Sequence, residues 1–132
     1  MAELEPGWLG KNRPAAGGVM ARGDVTFFNL PFVRGSRAQG GRRPAVLVIA
    51  DGAPRGNPMT MIVPLTATLG ATRFPFAFRI EPSSQNGLSE PSIALVFQLC
   101  AADLTFLDNT VGRLENHYMT AIDELIRQML GT

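Results

Sequence analysis

Four arginines crowd into ten residues, Arg34-Gly35-Ser36-Arg37-Ala38-Gln39-Gly40-Gly41-Arg42-Arg43. A guanidinium is a planar fork that grips phosphate through two hydrogen bonds and stacks on bases. Glycines let backbone N–H groups come close to an anion. Such a loop suits a phosphate-bearing ligand, although many arginine-rich turns are simply solvated. Arg42 and Arg43 stand just before the strand that Pro44 opens, which anchors Arg43 on a rigid element.

Other routes to phosphate chemistry are closed by the supply of residues. The chain has one histidine, His117, and one cysteine, Cys100. A two-histidine ribonuclease mechanism, a Cys/His zinc site and an internal disulfide are therefore out of reach. Two-metal nucleases need a cluster of carboxylates, and residues 22–79 hold only Asp24 and Asp51. No glycine-rich loop leads into the Lys-Ser or Lys-Thr of a nucleotide-binding P-loop. The residues predict a site with neither metal nor cofactor, and His117 reads as solvated at the start of a helix.

The net charge of +1 conceals an asymmetry. Residues 22–79 carry eight Arg against two acids, and residues 80–132 carry two Arg against seven acids. Lys11 is the only lysine. A phosphate-bearing partner for the first half fits this balance, as does a soluble domain from a proteome that favours Arg. No apolar run approaches the roughly 20 residues that span a membrane. Residues 1–20 contain no apolar core of signal-peptide length. With a single cysteine, this predicts a cytoplasmic protein.

The elements that must position the arginines are mostly strands. Val25 to Leu30 is β-branched and aromatic and reads as a strand that Pro31 ends. Residues 34–43 read as a loop. Ala45 to Ala50 is a continuous apolar run, suited to a strand buried on both faces. Residues 51–58 read as a turn, and Met59 to Thr66 as a strand with an edge or bulge at Pro64. Phe76 to Ile80, Ser92 to Leu99 and Val111 to Leu114 complete the strands, with a polar loop over residues 81–90. Tyr118, Ile122, Leu125 and Met129 then recur at helical spacing, with Asn116 as a candidate N-cap and Gly131 at the C-terminus. The pattern is mainly β with a C-terminal helix, an α+β arrangement in which a small, strongly bent sheet or barrel carries one helix. Residues 1–20 lack periodicity and read as a disordered tail before a single domain over residues 21–132.

Five stretches, taken in order, resemble the MazF/PemK toxin family. Arg22-Gly23-Asp24-Val25 resembles the family's R-G-D-V opening. Gly35-Ser36 through Gln39-Gly40-Gly41-Arg42-Arg43-Pro44-Ala45-Val46-Leu47-Val48 is similar to its G-S-E-Q-G-G-x-R-P-x-L-V signature. Val63-Pro64-Leu65-Thr66 resembles V-P-[IL]-T, and Glu90-Pro91-Ser92 through Gln98-Leu99 resembles the E-S-x-x-x-x-x-Q-[IV] strand. Gly112-Arg113-Leu114 with Ile122-Asp123-Glu124-Leu125 resembles the closing G-[RK]-L and helix. The resemblance implies a small SH3-like or CcdB-like barrel assembled as a homodimer. The implied activity is metal-independent, sequence-selective cleavage of single-stranded RNA by the toxin of a type II toxin–antitoxin system. It further implies an antitoxin with a flexible segment lying over the RNA groove. Arg43 and Thr66 fall on the family's catalytic pair, and Ser36, Arg37, Gln39, Arg42 and Gln98 fall where RNA contacts are expected.

Two departures stand out. The family's Glu after G-S is absent, because Gly35-Ser36-Arg37-Ala38-Gln39 has one extra residue. The basic residue after Q-[IV] is replaced by Cys100. A catalytically inactive RNA-binding relative and a CcdB-like gyrase-inhibiting toxin are the alternative functions. The latter relies on a Trp-Gly-Ile end, whereas this chain ends Met129-Leu130-Gly131-Thr132. Because Met20-Ala21-Arg22-Gly23-Asp24 resembles a family N-terminus, translation from Met20 is an alternative to translation from Met1. A protein beginning at Met20 is expected to melt within a few degrees of the full chain by scanning calorimetry; a large drop would show that the preceding residues pack on the domain.

Overall fold

The computed structural model describes residues 20–30, 34–35, 41–50 and 58–132. The tail expected over residues 1–20 lies, apart from Met20, outside the described residues. Ser36, Arg37 and Gln39 of the basic loop also lie outside them, as does most of the turn expected at 51–58. The strands are β1 (Asp24–Leu30), β2 (Gly41–Leu47), β3 (Met59–Thr66), β4 (Ala77–Ile80), β5 (Ser92–Leu95), β6 (Cys100–Asp103) and β7 (Leu107–Arg113). Among the described residues, one α-helix, α1 (Asn116–Leu130), follows β7, and short 3-10 helices span Leu69–Arg73, Val96–Gln98 and Leu104–Phe106. No described helix is long and apolar enough to cross a membrane.

The strands form one antiparallel sheet in the order β4-β5-β3-β2-β1-β7, with β6 also paired to β3. Mainly β with a C-terminal helix is thus the observed architecture. The sheet is not a closed barrel, because β4 and β7 end the path and do not pair with each other. Its curvature comes from interruptions. The β1–β7 register shifts twice, between Val25 and Thr26 and between Phe27 and Phe28, and each bulge adds twist.

Several expected boundaries move. β2 begins at Gly41, inside the expected loop, because Gly41, Arg42 and Arg43 pair with Leu30, Asn29 and Phe28 of β1. It ends at Leu47, short of the expected Ala50. The expected strand Ser92–Leu99 is cut after Leu95 by the 3-10 helix Val96–Gln98, and the chain then rejoins β3 as β6. An apolar run does not reveal such a break, since both strands pair with the same neighbour, β3. Phe76 was expected in β4 but stands before it with φ 60°, a left-handed conformation that a bulky side chain rarely adopts.

Two apolar clusters occupy opposite faces of the central strands. Val25, Val46, Val63, Leu65, Ile80, Val96 and Leu114 form the larger, which Met119 and Ile122 of α1 cover. Phe28, Ala45, Leu47, Ile62, Ala102 and Leu107 form the second. Tyr118, Leu125 and Met129, three of the four residues expected on the helix's apolar stripe, pack at the margin of the first cluster, and Ile122 is fully buried in it. Glu115 rather than Asn116 takes the N-cap position, and Gly131 closes the helix at φ 75°, its N–H bonded to the carbonyls of Arg127 and Gln128.

The chain's opening is tied to its end. Arg22 forms an ion pair with Asp123 of α1 and donates to the Val48 carbonyl at 2.5 Å. Leu114 N–H donates to the Gly23 carbonyl at 2.8 Å. The loop at residues 81–90 is built on Asn86, which is fully buried. Its Oδ1 accepts from Ser83 N and Leu88 N, and its Nδ2 donates to the Glu81 carbonyl and the Glu115 carboxylate. Two glycines let this loop lie on β7. A Cβ at Gly87 would sit 2.2 Å from the Val111 oxygen, and one at Gly112 would sit 2.4 Å from the Gln85 oxygen.

Glu115 ties the loop to the helix start. Burial pushes its carboxyl pKa up, but hydrogen bonds from Ser83, from backbone N–H and from Asn86, with the charge of His117, hold it below the usual glutamate value. A group whose pKa is lower when folded stabilises the fold above its unfolded pKa and loses that contribution as pH falls through the folded value. Melting temperature should therefore fall as pH drops below roughly 4.3, the ordinary glutamate value. Glu115→Gln should start lower at neutral pH and show a shallower acid fall. An equally steep fall in the variant would remove Glu115 from the account.

Candidate functional site

The site is created where two strands stop pairing. β2 and β3 pair through Leu47↔Ile62, Val46↔Val63 and Ala45↔Pro64, and toward Arg43 the pairing stops there. Proline has no N–H to give to a ladder, and Pro44 is the β2 residue whose N–H would face β3 next, opposite Leu65. Beyond Pro64, β3 pairs on its other edge, with Leu65↔Ala94 and Thr66↔Ile93 of β5. Meanwhile β2 continues along β1, with Arg43↔Phe28 and Arg42↔Asn29. Between them the ladder opens into a mouth.

Arg43 and Thr66 stand on its two lips. Each lies two residues beyond the last bonded pair, Ala45↔Pro64, so the register carries one across from the other. Side chains alternate along a strand, so Arg43 shares a face with Ala45 and Leu47, and Thr66 shares it with Ile62. These are residues of the second apolar cluster, on the face opposite α1. Arg43 is half-buried, and Thr66 is only 5% exposed. The Thr66 hydroxyl accepts from Thr68 N–H at 3.2 Å, which fixes its position at the strand end. Accepting uses a lone pair and leaves the hydroxyl proton to donate.

Arg42, the neighbour of Arg43, points to the other face. Its Nε pairs with Asp108 Oδ2 at 2.5 Å, and its guanidinium carbon lies 4.2 Å from the centre of the Phe27 ring. Asp108 lies within the β1–β7 irregularity, between Leu107, paired to Phe28, and Asn109, paired to Phe27. Arg42 thus braces three strands, β2, β1 and β7, on the face away from Arg43 and Thr66. Gln98 is half-buried at the end of the 3-10 helix Val96–Gln98, which follows the β5 residues opposite Thr66. The strand register therefore associates Arg43 and Thr66, sets Gln98 on the segment after β5, and turns Arg42 away.

By register, the mouth brings a cationic residue, Arg43, opposite a hydroxyl, Thr66, that is held at its strand end. Among the described residues, no three His, Cys, Asp or Glu side chains gather as they would around a metal ion. Cys100, in place of the basic residue the resemblance led us to expect, is half-buried at the margin of the second cluster, and burial pushes its thiol pKa up. It therefore adds no charge to this face at neutral pH. Sequence reasoning overlooked the two phenylalanines next to this region, Phe74 and Phe97. Their apolar character reads as core, and only the turn geometry brings them to the surface.

Comparison with known proteins agrees with the fold and shows the family. The family model described as "PemK-like, MazF-like toxin of type II toxin-antitoxin system" matches residues 21–130. The chain is 28% identical over 113 residues to Endoribonuclease EndoA of Bacillus subtilis, covering 86% of this chain and 96% of that protein. It is 29% identical over 113 residues to Endoribonuclease MazF of Staphylococcus saprophyticus, covering 86% and 92%. Among solved structures, MazF of Deinococcus radiodurans superposes with a TM-score of 0.69 at 21% identity, covering 86% of this chain and 98% of that one. A mycobacterial endoribonuclease in complex with its cognate antitoxin superposes with a TM-score of 0.64 at 18% identity, covering 86% and 94%. The names of these relatives favour the ribonuclease reading over an inactive relative or a gyrase inhibitor. With a family match that runs through nearly the whole described sheet and helix, this chain belongs to the PemK-like, MazF-like toxins of type II toxin–antitoxin systems.

Proposed function

We propose that the chain is a toxin that cleaves single-stranded RNA, with Arg43 and Thr66 as its catalytic pair. The observation that carries this reading is the register: Arg43 and Thr66 stand across the open end of the β2–β3 ladder, on one face. In the reaction, the ribose 2′-oxygen bonds to the adjacent phosphorus as the bond from phosphorus to the 5′-oxygen breaks. Negative charge builds on the phosphoryl oxygens between those events. A guanidinium and a hydroxyl already in position stabilise that charge without reorganising. Arg43 holds the charge as a protonated guanidinium, and Thr66 hydrogen-bonds the phosphate. The 2′ proton leaves to solvent, and solvent protonates the departing 5′-oxygen. The products are a 2′,3′-cyclic phosphate and a 5′-hydroxyl.

Ser36, Arg37 and Gln39 of the basic loop, with Gln98, would be RNA contacts. Arg42 contributes less directly, by stiffening the strand that carries Arg43. The cognate antitoxin would compete for the same groove with a flexible segment of acidic and apolar residues, since an unstructured chain can wrap a long surface. The toxin works in the cytoplasm, where its RNA is found.

Arg43→Ala is expected to lower the cleavage rate by about 10²–10³ or more with little change in melting temperature. Thr66→Ala should lose a similar or smaller factor. Cleavage should persist in EDTA, and mass spectrometry should find cyclic-phosphate ends. Wild-type rates from Arg43→Ala, or 3′-hydroxyl ends, would overturn the assignment.

A domain of this size leaves much of its surface exposed, and pairing two copies would extend the groove. Light scattering at micromolar protein should report about twice 14.2 kDa. RNA affinity should fall steeply with salt, because neutralised phosphates release counterions. An active monomer whose affinity ignores salt would remove both expectations.

A further inference from the structure

Phe74 and Phe97 are 39% and 38% exposed. The two rings lie 5.4 Å apart, centre to centre, tilted by 53°. The Arg73 guanidinium sits 4.3 Å from the centre of the Phe74 ring, held there by a 3.0 Å hydrogen bond to the Gly70 carbonyl. Aromatic surface left in water is unfavourable in proportion to its area, so a contiguous patch of this kind points to something that covers it.

The backbone beneath the patch is strained. Phe76 holds φ 60°, and its carbonyl accepts the Phe97 N–H at 3.2 Å. That bond joins the turn carrying Phe74 to the 3-10 helix carrying Phe97. Strain of this kind persists only where surrounding contacts enforce it, and it clusters at functional sites.

The patch is also wired to Thr66 from two sides. Thr66 Oγ1 accepts from Thr68 N–H, the Thr68 carbonyl from Ala71, and the Ala71 carbonyl from Phe74. On the other side, Ile93 pairs with Thr66, and Phe97 follows four residues later. Four residues span at most about 14 Å, a gap that a few nucleotides of single strand can bridge. Residues 67–80 and 91–102 contain no acid, so the patch carries the charge of Arg73 unopposed by its own segments.

We infer that Phe74, Phe97 and Arg73 form a stacking platform for the bases that flank the cleaved phosphate. The inference rests on the ribonuclease reading above. Part-exposed rings beside a guanidinium suit an RNA strand, because every base has a π-face and every linkage a negative phosphate. A purely apolar partner would gain nothing from Arg73. Seating the neighbouring base would fix where the scissile phosphate falls between Arg43 and Thr66.

The test uses the full chain and a fluorescently labelled pool of random-sequence 2′-O-methyl RNA, whose blocked nucleophile prevents cleavage. Phe97→Ala and Phe74→Ala should each weaken binding roughly five- to a hundredfold, the range for losing one stacked base. Phe97→Trp and Phe74→Tyr should retain affinity. A 2-aminopurine base in the RNA should be quenched by the wild type and less so by Phe97→Ala. Melting curves and light scattering on the same proteins separate folding and self-association from RNA contact. Wild-type affinity in both alanine variants, with active wild-type enzyme, overturns this inference alone. So does loss of antitoxin binding or self-association with RNA affinity unchanged, because the patch would then be a protein-docking surface. A wild type that neither binds nor cleaves RNA overturns the ribonuclease reading and this inference with it.

Discussion

The site depends on a hydrogen bond that cannot be made. Proline at position 44 removes from β2 the N–H that would pair with Leu65, and the ladder stops at Ala45↔Pro64. Had it continued, the ends of β2 and β3 would lie flush in the sheet, and the space around Thr66 would be filled by pairing. Instead β3 turns to β5 and β2 stays with β1, so the two lips are each held by a different neighbour. A mouth braced from both sides can present a cation and a hydroxyl with little freedom. That is what electrostatic stabilisation of a developing charge requires.

Much of what looks diagnostic in the sequence serves this frame rather than chemistry. Arg22 ties the start of β1 to Asp123 of the helix, and Asp24 accepts a hydrogen bond from Ala21 N–H at 2.9 Å. Gly112 admits the Gln85 backbone, and Leu114 enters the main cluster. The opening R-G-D-V and closing G-R-L motifs are therefore two halves of one fastening, far apart in the chain and adjacent in space. Arg42 extends the same logic. In sequence it looks like part of a phosphate grip, yet strand alternation turns it onto Phe27 and Asp108. An exposed ion pair of this kind contributes at most about 1 kcal/mol, so its value lies in holding β2 against the β1–β7 irregularity.

The sequence reveals strands and helix where local preference and tertiary demand agree. β1, β3 and α1 were legible because β-branched runs and a 3.6-residue stripe survive packing unchanged, and Gly131 caps α1 as its type suggests. What escaped reading is non-local. The break at Val96–Gln98 is invisible in an apolar run, since Val96 is as buried as the strand residues before it. The β2 start at Gly41 is set by pairing with Leu30, which glycine content alone argues against. The alternation that separates Arg42 from Arg43 follows only once that strand is known to include both.

Phe74 and Phe97 show the same limit from the other direction. Composition assigns a phenylalanine to the core, and Phe28, fully buried, obeys. Phe74 and Phe97 do not, because each sits at or beside a 3-10 helix, where successive side chains turn about 120° apart, so that Phe97 faces out while Val96 before it is buried. The chain then holds Phe76 in a conformation its side chain disfavours, and the Phe97 N–H bond to its carbonyl keeps it there. A fold selected only for stability would relax that turn, with glycine at position 76 or a polar residue at 97. Strain and exposed aromatic surface meeting on segments bonded to Thr66 instead indicate a surface shaped for what the mouth between β2 and β3 receives.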